Sequence, residues 1–111
     1  MPLASSPYEW FRLAQKTWEL RKIGRQYTLR NVVIGRKVEL RRGYASRSDS
    51  LWGVISEVEI ADSIQDFFAK VDFKSVIPVA ESRQQAETMA ASILGIDPDS
   101  QSVIGFRVTL D

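Results

Sequence analysis

The 111-residue chain contains neither cysteine nor histidine. Their absence excludes disulfides, thiolate nucleophiles, histidine general bases and the usual ligand sets of zinc, haem and iron–sulfur sites. Any catalysis would therefore use lysine, carboxylate, hydroxyl or tyrosine groups, and any metal site would consist of carboxylates alone. We expect no cofactor and no metal.

Long apolar runs are absent too. The longest, such as NVVIG and KSVIPVA, fall far short of the roughly 20 residues that cross a bilayer. The N-terminal MPLASSPYEW lacks the basic start and apolar core of a signal peptide. With 44% hydrophobic and 26% charged residues, the composition is typical of a globular protein. We therefore predict one cytoplasmic domain over residues 1–111, without a membrane partner. The sequence leaves the oligomeric state open, with a monomer favoured.

Charge is distributed unevenly along the chain, although the net charge is only +1. Residues 12–47 include 11 basic and two acidic side chains, whereas residues 48–111 include 4 basic and 11 acidic ones. The basic segment predicts a footprint for an anionic ligand if the fold gathers its cations on one face. The alternative is that the two segments pair with each other.

Capping residues and hydrophobic periodicity predict short helices. One should begin at the capping box around Ser6, and others at Asp62 or Ser63 and at Ser82. Gly95 should end the last helix. The side chains expected to face inward from the first and last helices are Tyr8, Phe11, Leu13, Ala14, Ala86, Met89, Ala90, Ile93 and Leu94.

Alternating apolar residues predict strands at 17–22, 36–42, 51–60 and 102–110. In the third of these, Trp52, Val54, Val58 and Ile60 should share one face, and Gly53 is a candidate bulge. Trp18 and Trp52 are predicted to belong to the core. The order of elements indicates an α+β fold with a curved sheet or small barrel of mostly antiparallel strands.

The stretch QKTWELRK at residues 15–22 has spaced charges. In a strand, Glu19 and Arg21 project from one face while Trp18 and Leu20 occupy the other. As a site, Lys16 would donate to a phosphate or carbonyl, Arg21 would grip a phosphate or base edge, and Glu19 would accept from an amine or hold Lys16. The alternative is an ion pair on a solvated strand, worth 0 to ~1 kcal/mol.

Basic and aromatic residues follow this trio, and they would form a groove that neutralises phosphates and stacks bases. The alternative is a solvated strand face. The expected ligand-binding residues beyond the trio are Tyr27, Arg30, Arg36, Arg41 and Arg47, with Arg25, Lys37, Arg42, Tyr44 and Trp52 beside them.

The order of elements, with QKTWELR, IGRKVEL, and GVISEVEI leading into SIQDFF, resembles the ASCH family, whose fold is a PUA-like β-barrel. The family signature runs glycine, any residue, lysine, any two residues, glutamate, any residue, arginine. Lys16, Glu19 and Arg21 match its last three fixed positions, and Ala14 stands where the glycine would be. The resemblance implies a PUA-like curved sheet or small barrel with about three short flanking helices.

The resemblance also implies a cleft beside the motif that takes RNA or a modified nucleoside. Some branches look like enzymes. One hydrolyses the N4-acyl amide of modified cytidines with the motif lysine, a threonine at the position of Glu19 and a glutamate further along the chain, for which Glu81 is the nearest candidate here. Ribonuclease activity is reported in other members. Because Glu19 replaces that threonine, the nucleophile of this mechanism is missing, and binding is the first hypothesis. An amide hydrolase or ribonuclease with Lys16 and Glu19 as catalytic residues is the alternative. A protein-interaction module is a third hypothesis.

Overall fold

The structure is a computed structural model that describes residues 1–24, 27–43 and 49–111. Arg25, Tyr44 and Arg47 of the predicted basic groove lie outside these ranges. The elements are, in chain order, β1 (Pro2–Leu3), α1 (Ser5–Arg12), β2 (Trp18–Lys22), β3 (Lys37–Arg42), β4 (Ser50–Ala61), α2 (Ile64–Lys70), a 3-10 turn (Phe73–Ser75), α3 (Arg83–Leu94) and β5 (Val103–Leu110). Within these ranges, no helix has the length and apolar character needed to span a membrane.

The strands form one mixed sheet in the order β1-β3-β4-β5-β2. The short β1 runs parallel to β3, while the β3–β4, β4–β5 and β5–β2 pairs are antiparallel. The sheet curls into a half-barrel flanked by three α-helices. The predicted fold class, a small α+β domain consistent with a PUA-like fold, is confirmed.

Each face of the sheet carries its own hydrophobic core. On the inner face, Ile104 and Phe106 of β5 pack with Tyr8 and Phe11 of α1. On the outer face, Trp18 and Leu20 of β2 pack in a cluster with residues of α2 and α3. Alternation along β5 therefore supplies both cores, with Val103 in the outer one, because successive side chains point to opposite faces. The alternate side chains of β2 are the charged Glu19 and Arg21.

The predicted caps of α2 and α3 are confirmed. Ser63 Oγ accepts the Asp66 N–H at 3.1 Å, and Ser82 Oγ accepts the Gln85 N–H at 3.1 Å. Such a cap contributes about 1 kcal/mol to helix stability. Gly95 ends α3 with φ 68°, a left-handed conformation that glycine adopts without strain.

The predicted start of α1 is wrong. The helix begins at Ser5 after Ala4, which makes no side-chain cap, so Pro7 is its third residue. Proline is tolerated there because the first four helical N–H groups have no partner within the helix. Leu13 lies beyond the helix end and is 53% exposed, so the prediction that Leu13 and Ala14 face the core is also wrong.

A bulge in β4 overturns the predicted placement of Trp52. The register shifts between Ile55, opposite Val108, and Glu57, opposite Arg107. One extra residue reverses which side chains face inward. Trp52 is consequently 51% exposed rather than part of the core, whereas Trp18 is buried as predicted.

The bulge also lies away from Gly53, where the sequence places it. Gly53 is opposite Leu110 in the regular part of the β4–β5 ladder. A Cβ at Gly53 would lie only 2.7 Å from the Thr109 carbonyl oxygen and 2.8 Å from Val108 Cγ1. The close approach of β5 therefore leaves no room for a side chain at residue 53.

Ala14 should tolerate glycine better than any other residue. Its φ is +60°, and a left-handed conformation costs an L-residue about 1–2 kcal/mol, partly offset by the greater chain entropy of glycine. We expect Ala14→Gly to raise the free energy of unfolding by up to about 1 kcal/mol, measured by urea unfolding followed through tryptophan fluorescence.

The matched control is Ala69→Gly, at an exposed helical position of α2. There glycine should lower the free energy of unfolding by about 1 kcal/mol. If both substitutions destabilise the protein equally, the backbone at Ala14 is not left-handed.

Candidate functional site

The candidate site lies beside β2, at one edge of the sheet. The Thr17 carbonyl accepts the Val108 N–H at 2.8 Å, and Glu19 lies opposite Phe106 in the continuing register. Because paired and unpaired positions alternate in an antiparallel ladder, the main-chain groups of Leu20 and Lys22 point away from β5. The Leu20 N–H donates to Glu19 Oε1 at 3.2 Å. The outer edge of β2 is therefore available as a cleft wall.

The turn after α1 places Lys16 inside the protein. The N–H groups of Gln15 and Lys16 both donate to the Trp10 carbonyl, at 2.8 and 3.0 Å. This turn returns the chain beneath α1, where Lys16 is only 4% exposed. Its Nζ donates to the Val76 carbonyl at 2.7 Å and lies 5.3 Å from the centre of the Phe11 ring.

The Glu19 carboxylate bridges the two cations of the trio. Its Oε1 lies 3.4 Å from Lys16 Nζ, and its Oε2 accepts a hydrogen bond from Arg21 Nη2 at 3.1 Å. Glu19 is 7% exposed, whereas the Arg21 side chain is 27% exposed. The trio is therefore a network that runs from a buried ammonium to a half-exposed guanidinium, not an ion pair on a solvated strand.

Burial lowers the pKa of Lys16, because the protein replaces the water that would solvate its ammonium. Glu19 raises this pKa by attraction and hydrogen bonding, and Arg21 lowers it by repulsion. Desolvation is the largest of these effects, so Glu19 only partly compensates for burial. The charged state of Lys16 thus depends on an intact Glu19 carboxylate.

A cleft extends outward from this network. Its floor is a cavity of about 70 Å³ that Lys16 and Glu19 line together with apolar side chains, among them Trp10 of α1. A wider cavity of about 650 Å³ is lined by Arg21, Lys22 and Tyr27. Ile93 and Leu94 of α3 line both cavities, so floor and mouth adjoin along α3.

Three lining residues were misplaced or missed in the sequence. Ile93 is 72% exposed and faces the cleft instead of the core, because the buried stripe of α3 consists of Ala86 and Ala90. Trp10 gave no functional signal, since one aromatic residue in a short helix is typical of packing. Lys22 was overlooked because alternation with Arg21 predicts the opposite face of β2, but at this sheet edge both residues line the wider cavity.

Tyr27 stands at the wall of the cleft mouth. Its ring stacks on Phe106 with centroids 6.4 Å apart and an interplanar angle of 13°. The Arg21 guanidinium carbon lies 4.9 Å from the centre of the same ring. The contact with Tyr27 and the hydrogen bond to Glu19 together orient the Arg21 guanidinium at the cleft mouth.

The remaining predicted ligand-binding residues lie apart from the cleft lining. Arg30 is exposed in the segment between β2 and β3, and Arg41 is a half-buried residue of β3 whose N–H donates to the Met1 carbonyl at 2.9 Å. Arg36 donates through Nη1 to the Asn31 carbonyl at 2.7 Å and lines a different cavity. Arg47 lies outside the described residues. The structure thus groups Tyr27 with the trio and leaves Arg30, Arg36 and Arg41 elsewhere.

Several C-terminal carboxylates pair within their own acidic segment. These ion pairs are Glu57–Arg107 at 3.1 Å, Glu59–Lys70 at 3.1 Å and Glu87–Arg83 at 3.6 Å. Among the residues that the structure describes, one pair, Arg42–Asp49 at 3.8 Å, joins the basic segment to the acidic one. These three glutamates therefore interact with local cations rather than with Arg21 of the cleft.

No protein-family model matches the chain, and no curated protein does. Two solved structures share its fold. The crystal structure of the Pyrococcus hypothetical protein PH0355 has a TM-score of 0.80 at 14% identity, covering 100% of this chain and 96% of the other. The solution structure of protein PF0455 from Pyrococcus furiosus has a TM-score of 0.66 at 15% identity, covering 99% and 94%. At such identities the likeness establishes the fold alone.

Proposed function

We propose that this protein is an ASCH-type domain that binds RNA or a nucleotide-like ligand in the cleft between β2 and α3. The observation that carries the proposal is the buried Glu19 carboxylate, which joins Lys16 at the cleft floor to Arg21 at its mouth. Buried charges are costly unless paired, and a network of this kind beside a cleft is a candidate functional site.

The backbone supports the assignment to the ASCH pattern. Lys16, Glu19 and Arg21 have the required spacing, and Ala14 occupies the position of the pattern's glycine. With φ at +60°, Ala14 adopts a conformation that favours glycine. The backbone conformation at residue 14 is thus one that glycine suits, although the residue in this chain is alanine.

The arrangement suits a ligand with a flat base and a phosphate. Arg21 and Lys22 would take the phosphate, with Arg21 able to donate two parallel hydrogen bonds. The base would lie in the wider cavity against Ile93 and Leu94, with one edge directed towards the floor. Glu19 already accepts from Leu20, Lys16 and Arg21, and a carboxylate has about four acceptor sites, so one remains for an N–H of the ligand. Lys16 is then a positioning residue that holds Glu19.

Binding to a short single-stranded RNA should weaken strongly with salt. If about three phosphates are neutralised, the affinity should fall about 20-fold between 50 and 200 mM salt. Fluorescence anisotropy with a labelled octanucleotide at the two ionic strengths measures this. We expect Arg21→Ala to reduce the affinity about tenfold, because it removes charge-assisted hydrogen bonds.

Arg107→Ala is the matched control, since it removes the same charge from an exposed residue of β5 that pairs with Glu57. It should leave the affinity within about twofold of the wild type. Absent binding, salt-independent binding, or equal losses for the two variants would reject the proposal. Thermal unfolding of both variants separates lost binding from lost folding.

A second candidate is hydrolysis of an N4-acylated cytidine in the same cleft. It is favoured by the lowered pKa of Lys16, since a lysine with a lowered pKa can exchange protons nearer neutral pH. Glu19 would have to activate water, because it replaces the threonine nucleophile. We rank this activity second for that reason. Release of acetate from N4-acetylcytidine, abolished by Glu19→Gln in a folded protein, would reverse the ranking.

A further inference from the structure

A separate cavity of about 360 Å³ lies on the inner face of the half-barrel, beneath the chain that follows Tyr27. We refer to it as the inner-face cavity. Its walls include Val32, Val38, Ile55 and Phe106, side chains that also belong to the inner core. A cavity of this size is typical of small-molecule sites, and its apolar walls favour a hydrocarbon or aromatic body.

Arg36, an exposed residue, lines this cavity and supplies a guanidinium to it. Its Nη1 donates to the Asn31 carbonyl at 2.7 Å, which holds the guanidinium in place. A guanidinium has five N–H donors, so most of them remain after this bond. Within the described ranges, no carboxylate lies within ion-pair distance of Arg36. An oriented arginine of this kind fits a carboxylate.

The electrostatic surroundings agree with an anionic ligand. The Met1 amino group belongs to a residue that lines the cavity, and burial lowers its pKa. Glu39 raises that pKa, while repulsion by Arg41 and by Arg21 lowers it. Arg36 therefore supplies the positive charge that attracts an anion to this cavity, because burial lowers the pKa of the Met1 amino group and Glu39 offsets its charge.

We propose that the inner-face cavity binds a small organic anion with an apolar body, such as an aromatic or short aliphatic carboxylate. The carboxylate is held by Arg36, and the body packs against Val38, Ile55 and Phe106. A sugar or a base edge fits poorly, because such polar groups lose hydrogen bonds against an apolar wall. The site shares the Tyr27 side chain as a wall with the cleft of the proposed function, but it takes a different class of ligand.

Benzoate and hexanoate are suitable probes. In a titration of the ¹⁵N-labelled full chain, we expect shifts of the backbone amide signals of Val38, Ile55 and Phe106. Arg36→Gln should weaken binding about tenfold, since it removes a charge-assisted pair. Benzyl alcohol, a neutral analogue of benzoate, should bind wild type about tenfold more weakly for the same reason.

Arg30→Gln removes an equal charge from an exposed position outside the cavity lining, and it should leave the affinity within about twofold of wild type. Val38→Phe, which adds volume to the cavity wall, should abolish the shifts in a protein that still gives a dispersed spectrum. Absent shifts, shifts confined to β2 and α3, or equal affinities for wild type and Arg36→Gln would overturn the proposal. The RNA titration tests the cleft at Arg21, and the benzoate titration tests the cavity at Arg36. A negative result in one experiment therefore does not decide the other proposal.

Discussion

Gly105→Ala should lower the free energy of unfolding by about 3 kcal/mol, the upper part of the range for overpacked cores. A Cβ at this position would lie 2.2 Å from both Cε2 and Cζ of Phe67, far inside van der Waals contact. Phe67 is fully buried and lies edge-on to Trp18 and to Phe68, with ring centroids 6.0 and 5.6 Å away. The ring therefore has little room to move.

The backbone at Gly105 is equally constrained. It lies in β5 between Glu59 of β4 and Leu20 of β2, so a shift would disturb two ladders at once. Urea unfolding followed by tryptophan fluorescence gives the change in stability. Thr109→Ala, at an exposed position of the same strand, is the control and should cost about 1 kcal/mol or less.

A second substitution identifies the clashing group. Phe67→Leu alone should destabilise the protein by creating space in the outer core. Combined with Gly105→Ala, it should cost less than the sum of the two single changes, because the new methyl group then has room. Additive effects would show that Phe67 is not the group that excludes a side chain at Gly105.

Glu19→Gln should lower the free energy of unfolding by about 3–5 kcal/mol at neutral pH, the usual cost of removing one partner of a buried ion pair. The substitution preserves shape but leaves the Lys16 ammonium without its carboxylate. Adding Lys16→Met should recover much of the loss, since an apolar side chain of similar length removes the unpaired charge. The control is Glu57→Gln, whose exposed pair with Arg107 is worth at most about 1 kcal/mol.

The loss caused by Glu19→Gln should depend on pH. Burial lowers the pKa of Lys16 below its ordinary value of 10.5, so between the lowered pKa and 10.5 the unfolded chain binds more protons than the folded one. Stability therefore rises with pH across that window. Without Glu19, which raises this pKa, the rise should begin at lower pH and be larger.

Urea unfolding of wild type, Glu19→Gln and Lys16→Met from about pH 7 to about pH 10 tests this sign. Lys16→Met should lack the Lys16 contribution to the rise. A loss from Glu19→Gln that is below 1 kcal/mol, or that stays constant with pH, would contradict a buried charged Lys16 paired with Glu19.

Local chemistry made much of the fold predictable. Ser63 and Ser82 satisfy N–H groups of the helices they precede, and Gly95 allows the left-handed turn that ends α3. These effects act within four residues, so they can be inferred from neighbours in the chain. Trp52 was misplaced because a bulge depends on how β4 meets β5, which no local pattern encodes.

The spacing of Lys16, Glu19 and Arg21 was visible in the sequence, but their burial was not. Lys16 donates to a carbonyl 60 residues away in the chain, at Val76. The burial of the Lys16 ammonium depends on that distant contact, and burial sets the direction of its pKa shift. Their use as a ligand site remains our proposal.

The sequence by itself determined the available chemistry, without cysteine or histidine, and the helix ends and strand alternation, because these depend on residue type and short-range geometry. Only the tertiary structure decided that Glu19 joins a buried lysine to a half-exposed arginine, and that Arg36 faces a different cavity from Arg21. The physical reason is that burial and electrostatic coupling depend on distance in space, and sheet pairing brings together residues far apart in the chain.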